Sequence, residues 1–200
     1  FCLCFCFFSI NEFCMRVLFF STYEIVKQSG GVESVTRFLY EYLNSNGYSV
    51  YLMYWQNHKG LKSELCQVGL PDKCNMNSLC NIDFIKSYLI KNEIDVVINQ
   101  TAVNSRTSAG CTIACNELKI PLVSVLHNTP DLFLRENKFF KIFFYTSFTR
   151  LLIYRMWYYF QSVFRGFKGG KFIFDNSSCV VLLSKKYFND YCYINTNSNF

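Results

Sequence analysis

Met15-Arg-Val-Leu-Phe-Phe-Ser-Thr-Tyr-Glu-Ile-Val-Lys-Gln-Ser-Gly-Gly-Val-Glu33 decides how the rest of the chain is read. Val17 to Phe20 is a short apolar run with the length and composition of a buried strand. A polar loop follows and closes on Gly30-Gly31, after which Val32, Val35, Phe38, Leu39, Tyr42 and Leu43 recur at the spacing of one helix face. Strand, glycine loop and helix make the opening unit of an open parallel sheet, whose ligands bind at the carboxyl ends of strands against helix N-termini. Adjacent glycines can take positive φ and let a ligand approach the amides of Gly31 to Ser34. A simple tight turn is the competing reading, and neither the Gly-x-Gly-x-x-Gly nor the Gly-x-x-x-x-Gly-Lys-Ser/Thr fingerprint is present.

The rhythm continues. Gly47 is placed to end the first helix, and Tyr48 to Trp55 reads as a second strand. Gln56 to Leu79 has no period and is long enough to hold an extra short strand or a mobile loop; His58 within it reads as a surface histidine. Ile82, Ile85, Leu89 and Ile90 mark a helix, Asp95–Asn99 a buried strand, 105–118 a helix weakened by Gly110, and Leu122–Leu126 a further strand after Pro121. Cys179 to Leu183 is the last strand, and 184–188 begins a short helix. Alternation of this kind predicts an α/β fold, a Rossmann-like parallel sheet with helices on both faces. His127 falls where a parallel strand ends, at the sheet edge where sites form. It is a candidate for chemistry, or else caps the strand by bonding a backbone carbonyl.

Two hundred residues suit one domain with a sizeable core. A net charge of +6 favours an acidic partner, such as a nucleotide diphosphate or an anionic lipid headgroup, or else serves solubility. The eleven cysteines form no Cys-x-x-Cys pair, and His58 and His127 lie far from any zinc-finger spacing. Reduced thiols in a cytosolic protein, mostly buried as small hydrophobes, are expected, with no metal. Phe1–Cys14 lacks an initiator Met, a basic n-region and a cleavage site. The expectation is that the native protein starts at Met15 and that residues 1–14 are an upstream extension of the reading frame. Residues 15–192 would then be the domain, and 193–200 a truncated tail or linker.

Residues 138–168 combine many aromatic and aliphatic side chains with Lys138, Lys141, Arg150, Arg155, Trp157, Arg165 and Lys168. No uncharged run approaches the roughly twenty residues that a membrane span needs. Two readings stay open: long helices packed on the domain and on a second half, or a basic–aromatic surface that docks on anionic lipid at the inner face of the plasma membrane. Nucleic acid would use the same residues, but no zinc finger, RNP-type motif or helix-turn-helix accompanies them, so no nucleic-acid partner is expected.

Five blocks in register carry a resemblance: Met15 to Tyr23 with Gly30-Gly-Val-Glu33; Arg37 to Leu43 with Gly47-Tyr-Ser-Val50; Asp95-Val-Val-Ile-Asn99; Pro121-Leu-Val-Ser-Val-Leu-His127-Asn128; and Val180-Val-Leu-Leu-Ser184. Together they resemble the acceptor-side, N-terminal domain of a family 4 glycosyltransferase, one half of a GT-B architecture. The resemblance implies transfer of a sugar from a nucleotide-sugar to a glycan or lipid-linked acceptor, with retention at the anomeric carbon and no metal or other cofactor. It further implies that His127 orients or polarises the sugar and the acceptor oxygen with Asn128 beside it. Gly30, Gly31 and Val32 would meet the diphosphate, and Glu24 would be an acceptor-site carboxylate or a solvated loop residue. That family's basic pair and Glu-x7-Glu motif lie in the second Rossmann-like half, which does not fit before Phe200. The chain is therefore expected to be inactive without a C-terminal half in cis or in trans. The competing expectation is a non-catalytic α/β domain that binds a membrane or a partner subunit. A nicotinamide-dependent oxidoreductase is set aside, because the second strand ends in Trp55-Gln56 rather than in an acid.

Overall fold

The computed structural model of the chain describes residues 15–27, 30–58, 60, 63–101, 105–127, 152, 156 and 170–184. Six strands, β1 (Arg16–Tyr23), β2 (Ser49–Gln56), β3 (Val68–Gly69), β4 (Val96–Asn99), β5 (Leu122–Leu126) and β6 (Cys179–Leu182), form one sheet. Their order is β3-β2-β1-β4-β5-β6, and every pair is parallel. Helices α1 (Gly31–Ser45), α2 (Leu79–Lys91), α3 (Ser105–Leu118) and α4 (Gly170–Asn176) complete the described elements. This is the doubly wound, Rossmann-like α/β arrangement.

β1 lies at the centre, and its continuous apolar run follows from burial on both faces. Leu18 and Phe20 join Met53, Leu70, Ile85, Leu89, Val97 and Leu122 under α2 and α3. Val17 and Phe19 join Ile25 and Leu52 under Leu39, Tyr40 and Leu43 of α1. α4 packs on α3 and puts Ile173 into the interior.

The three long helices leave by one device. Gly47, Glu93 and Lys119 each take positive φ, at 86°, 48° and 57°. The next residue's amide then reaches back to a carbonyl five residues earlier: Tyr48 to Leu43, Ile94 to Leu89 and Ile120 to Cys115, at 3.1, 3.0 and 2.9 Å. This is the Schellman exit, and only the first uses the glycine that suits the left-handed position. The Glu93 exit is tied down further, since Arg16 pairs with the Glu93 carboxylate and the Arg16 amide donates to Asp95 Oδ2 at 2.7 Å.

Several expectations need correction. Val35, Phe38 and Tyr42 do not face the core; they are 47%, 64% and 56% exposed, and the buried arc of α1 runs through Thr36, Leu39, Tyr40 and Leu43. Six apolar positions span more of the helix surface than a single sheet face covers. Ile90 is likewise exposed, while Ile82, Ile85 and Leu89 are buried as expected. The aperiodic stretch does contain an extra strand, β3, paired with β2 through Met53–Val68 and Tyr54–Gly69. α4 has no counterpart in the sequence reading. Of the described cysteines only Cys111 and Cys115 are buried; Cys66, Cys74, Cys80 and Cys179 are exposed, and all six are free thiols. Asn128, Lys138, Lys141, Arg150, Arg155, Trp157, Arg165 and Lys168 lie outside the described residues, as do both termini and the helix expected past Ser184.

Candidate functional site

Strand order reverses between β1 and β4, because β2 and β3 lie to one side of β1 and β4, β5 and β6 to the other. At such a switch point the crossovers on the two sides diverge and leave a crevice beyond the carboxyl ends of the strands. β1 and β4 pair there through Phe20 and Asn99, and the Gln100 amide prolongs the pairing by donating to the Phe20 carbonyl at 2.9 Å.

Strand alternation sorts what reaches the rim. Val96 and Ile98 face α1, so Gln100 does too. In β5, Leu122 faces α2 and α3, which leaves His127 on the α1 side. The two meet: His127 Nε2 hydrogen-bonds Gln100 Oε1. His127 is half-buried, and burial lowers its pKa from the ordinary histidine value while the negative charge of Glu33 pulls it back up. With Gln100 oxygen facing it, the neutral ring carries its proton on Nε2 and presents the Nδ1 lone pair.

Glu33 belongs to the first turn of α1. Gly30 is the N-cap, with extended backbone and no side chain to bond the helix amides, and its carbonyl accepts from Ser34 N at 2.9 Å. The first amides of a helix have no intrahelical acceptor, and the dipole makes this end positive. Neither glycine uses positive φ, contrary to the sequence expectation; Gly30 has φ −66° and Gly31 is helical. Their value is space. A Cβ on Gly31 would meet nothing within 4 Å, whereas one on Gly30 would lie 3.1 Å from Glu33 Oε2. The Glu33 carboxylate thus folds back over the N-terminus, in the place a third-position glutamate takes in a capping box.

The remaining candidates separate. Glu24 does not join His127: its amide donates to Gln56 O at 2.9 Å, and its charge is felt instead by Tyr54 and Lys73 on the β2 side. Val32 follows Gly31 in the first turn and accepts at its carbonyl from Thr36 Oγ1 at 2.8 Å. His58 lies against the ring of Tyr23, with ring centroids 6.2 Å apart. Gln100 and Glu33 were not singled out in the sequence as site residues. Gln100 could have been found as the first residue beyond a strand at the switch point, and Glu33 as the acid three residues after the N-cap. Asn99, fully buried, uses Oδ1 to accept from Thr101 N and Oγ1 at 2.8 and 2.7 Å, and its Nδ2 has no hydrogen-bond partner among the described residues. No group of three or more His, Cys, Asp or Glu able to hold a metal ion occurs among the described residues. None of the described helices is long and apolar enough to cross a membrane.

The charge of Glu33 acting on His127 carries a pH prediction. The His127 ring should titrate below the ordinary histidine value, and Glu33→Gln should lower it further by removing the charge that favours the imidazolium. Histidine ring NMR across pH 4.5–8 measures both; an unchanged or raised midpoint in Glu33→Gln would show that another group sets the field. The sign for stability follows. A histidine whose folded pKa is depressed contributes fully above about pH 6.5, and that contribution is lost as pH falls toward the folded value.

No family model matches the chain, and no curated protein matches it. Solved structures do. An alpha-glucosyltransferase in complex with UDP and a 13-mer DNA is 14% identical, with a TM-score of 0.42 over 84% of this chain and 37% of that one. A chain from Listeria monocytogenes assigned as a UDP-N-acetylglucosamine 2-epimerase is 11% identical, with a TM-score of 0.44 over 88% of this chain and 41% of that one. The Bordetella bronchiseptica enzyme WbmG in complex with NAD is 12% identical, with a TM-score of 0.36 over 57% of this chain and 38% of that one. The chain thus spans well under half the length of each, and at these identities the likenesses add nothing finer than the α/β fold that the strand order already establishes.

Proposed function

We propose that the chain is the acceptor-side domain of a nucleotide-sugar-dependent glycosyltransferase, of the family 4 kind in a GT-B arrangement. The observation that carries this reading is the bond of His127 to Gln100 on the α1 side of the switch point, within the field of Glu33 in the first turn of α1. Sugar transfer needs groups that hold hydroxyls near the anomeric carbon, and donors for the charge that develops on a leaving diphosphate. Neutral His127 presents an acceptor lone pair to a sugar hydroxyl, and Gln100 fixes the ring. The open space over Gly31 lets a diphosphate approach the amides of Gly31 and Val32, with the Glu33 carboxylate turning away to take a hydroxyl. Asn128 is assigned to the same sugar. Transfer proceeds with retention, without a metal, and only with a second Rossmann-like half; the acceptor is a glycan or a lipid-linked sugar.

Amide and histidine NMR during titration with UDP-glucose, UDP and NAD provides the test. Expected are saturable shifts of Gly31, Val32, Glu33 and the His127 ring with UDP-glucose, smaller ring shifts with UDP, and loss of the sugar-dependent part in His127→Ala. Shifts with NAD alone, or none at the α1 N-terminus, would overturn the reading. Exposed Val35, Phe38 and Tyr42, with Phe38 and Tyr42 stacked, favour a second reading, a non-catalytic domain that docks on a partner. Under it all three titrations are blank.

A further inference from the structure

We infer that Lys73 forms, with Glu24, Tyr54 and Tyr23, a subsite over β1 and β2 for an acceptor sugar that carries an anionic substituent. The inference rests on the transferase reading and names the acceptor chemistry. Lys73 belongs to the loop after β3, at the carboxyl edge of the sheet. Its Nζ sits 4.8 Å from the centre of the Tyr54 ring and donates to the Trp55 carbonyl at 2.5 Å. Gly69 makes room for it, since a Cβ there would lie 2.8 Å from Lys73 Nζ and 3.0 Å from the Tyr54 ring. An ammonium held by a carbonyl, an aromatic face and a glycine notch is positioned without a carboxylate, and it retains donors for a ligand.

The other fixed cations differ. Arg16 pairs with Glu93, Arg37 with Glu41 and Glu64, and Lys86 with Asp83 and Glu117, whereas Lys73 forms no ion pair within 4.0 Å among the described residues. Its loop is rigid, because the buried Asn81 amide bonds Asp72 N, Asp72 O and Asn75 O, each at 2.9 Å. Partial burial lowers the Lys73 pKa and the nearby charge of Glu24 opposes this, so an added anion would be welcome at the ammonium.

Alternation places Tyr54, next but one to Leu52, on the α1 face, and Tyr23 likewise after Phe19. Lys73 therefore reaches the same side of the rim as His127, three strand spacings away from β2 to β5, or roughly 14 Å. One sugar ring does not bridge that distance; an acceptor of more than one unit does. Its anionic group meets Lys73, a hydroxyl meets Glu24, and the exposed Tyr23 ring offers a face for the pyranose.

The indole N–H of Trp55 donates to the Asp72 carbonyl at 3.0 Å, beside Lys73, and so reports on the subsite. The full chain is titrated with glucose 6-phosphate, glucuronate and glucose, and the Trp55 indole signal is followed after assignment by Trp157→Phe. Expected is a saturable shift with glucose 6-phosphate or glucuronate, whichever bears the preferred anion, and none with glucose at the same concentration. Lys73→Met should weaken binding by about tenfold or more, the value of one charge-assisted hydrogen bond, while Lys73→Arg retains it in large part. Equal shifts with neutral glucose, or undiminished binding by Lys73→Met with an otherwise unchanged spectrum, would overturn the subsite. UDP-glucose shifts at Gly31–Glu33 without any response at Trp55 would remove this inference and leave the transferase reading standing. A response at Trp55 with a silent α1 N-terminus would do the reverse.

Discussion

Phe20→Ala is expected to destabilise the chain by about 3–5 kcal/mol, the range for deleting a buried aromatic side chain. Phe20 is fully buried on the central strand, with Met53 beside it on β2 and Asn99 on β4. Its ring lies in the cluster of Leu18, Leu70, Ile85, Val97 and Leu122, which joins the sheet to α2 and α3. Strands paired on both sides cannot collapse freely into a void, so the cavity term adds to the lost transfer energy. At about 4 kcal/mol the folding equilibrium moves by roughly a thousandfold. The substitution should also reach the site, because the Phe20 carbonyl holds the Gln100 amide and Gln100 holds His127. Urea titration gives the first effect and the His127 ring signal the second. Phe38→Ala, on the exposed side of α1, should cost under about 0.5 kcal/mol. Near-equal costs for the two phenylalanines would mean that β1 is not the centre of the core.

What the sequence made legible depends on how locally each feature is determined. β1, β4 and α2 could be read because a strand buried on both faces leaves an apolar run, and because the helix periodicity of Ile82, Ile85 and Leu89 is local. The covered side of α1 could not. Val35, Phe38 and Tyr42 share a broad arc with Leu39 and Leu43, and only the placement of the helix on the sheet decides which part of that arc is buried. α4 begins at Gly170, and its seven residues are helical where Ile173 and Phe174 can pack. His127 was legible as a strand end. Gln100 and Glu33 each carried a local signal, but that Gln100 bonds His127 and that the charge of Glu33 acts on it follows only from the crossing of the chain from β1 to β4 and β5. Lys73 was the least legible, lying in an aperiodic stretch whose position follows from the pairing of β3 with β2 and from one buried amide on α2.

That amide carries the second large effect. Asn81→Ala should cost about 2–4 kcal/mol and loosen the loop that presents Lys73. Asn81 is fully buried; its Oδ1 accepts from Asp72 N, and its Nδ2 donates to the carbonyls of Asp72, Asn75 and Met76 at 2.9, 2.9 and 3.3 Å. Alanine leaves the Asp72 amide and the Asn75 and Met76 carbonyls without this partner, while the Asp72 carbonyl keeps the Trp55 N–H, and each buried group so stranded costs about 1–3 kcal/mol before relaxation and water recover part of it. Asn81→Asp separates the two halves of the clamp. The carboxylate keeps the acceptor for Asp72 N but turns toward carbonyl oxygens with no proton to give. At neutral pH this variant should therefore be at least as unstable as the alanine. The folded state resists ionising the introduced carboxyl group, so its pKa there lies above the unfolded value of about 3.9. The deficit should shrink as pH falls toward that value, the opposite of the usual acid response of a paired carboxylate. Urea midpoints at pH 7 and pH 4.5 measure this, and the Trp55 indole signal reports the loop through its bond to Asp72 O. A cost under about 0.5 kcal/mol for Asn81→Ala with an unmoved indole signal would show that the turn stands without its clamp. It would then be held by the Asp72 carboxylate on Cys74 N and Asn75 N at 2.8 and 3.2 Å, and by Asn77 Oδ1 on the Gly110 amide at 2.7 Å.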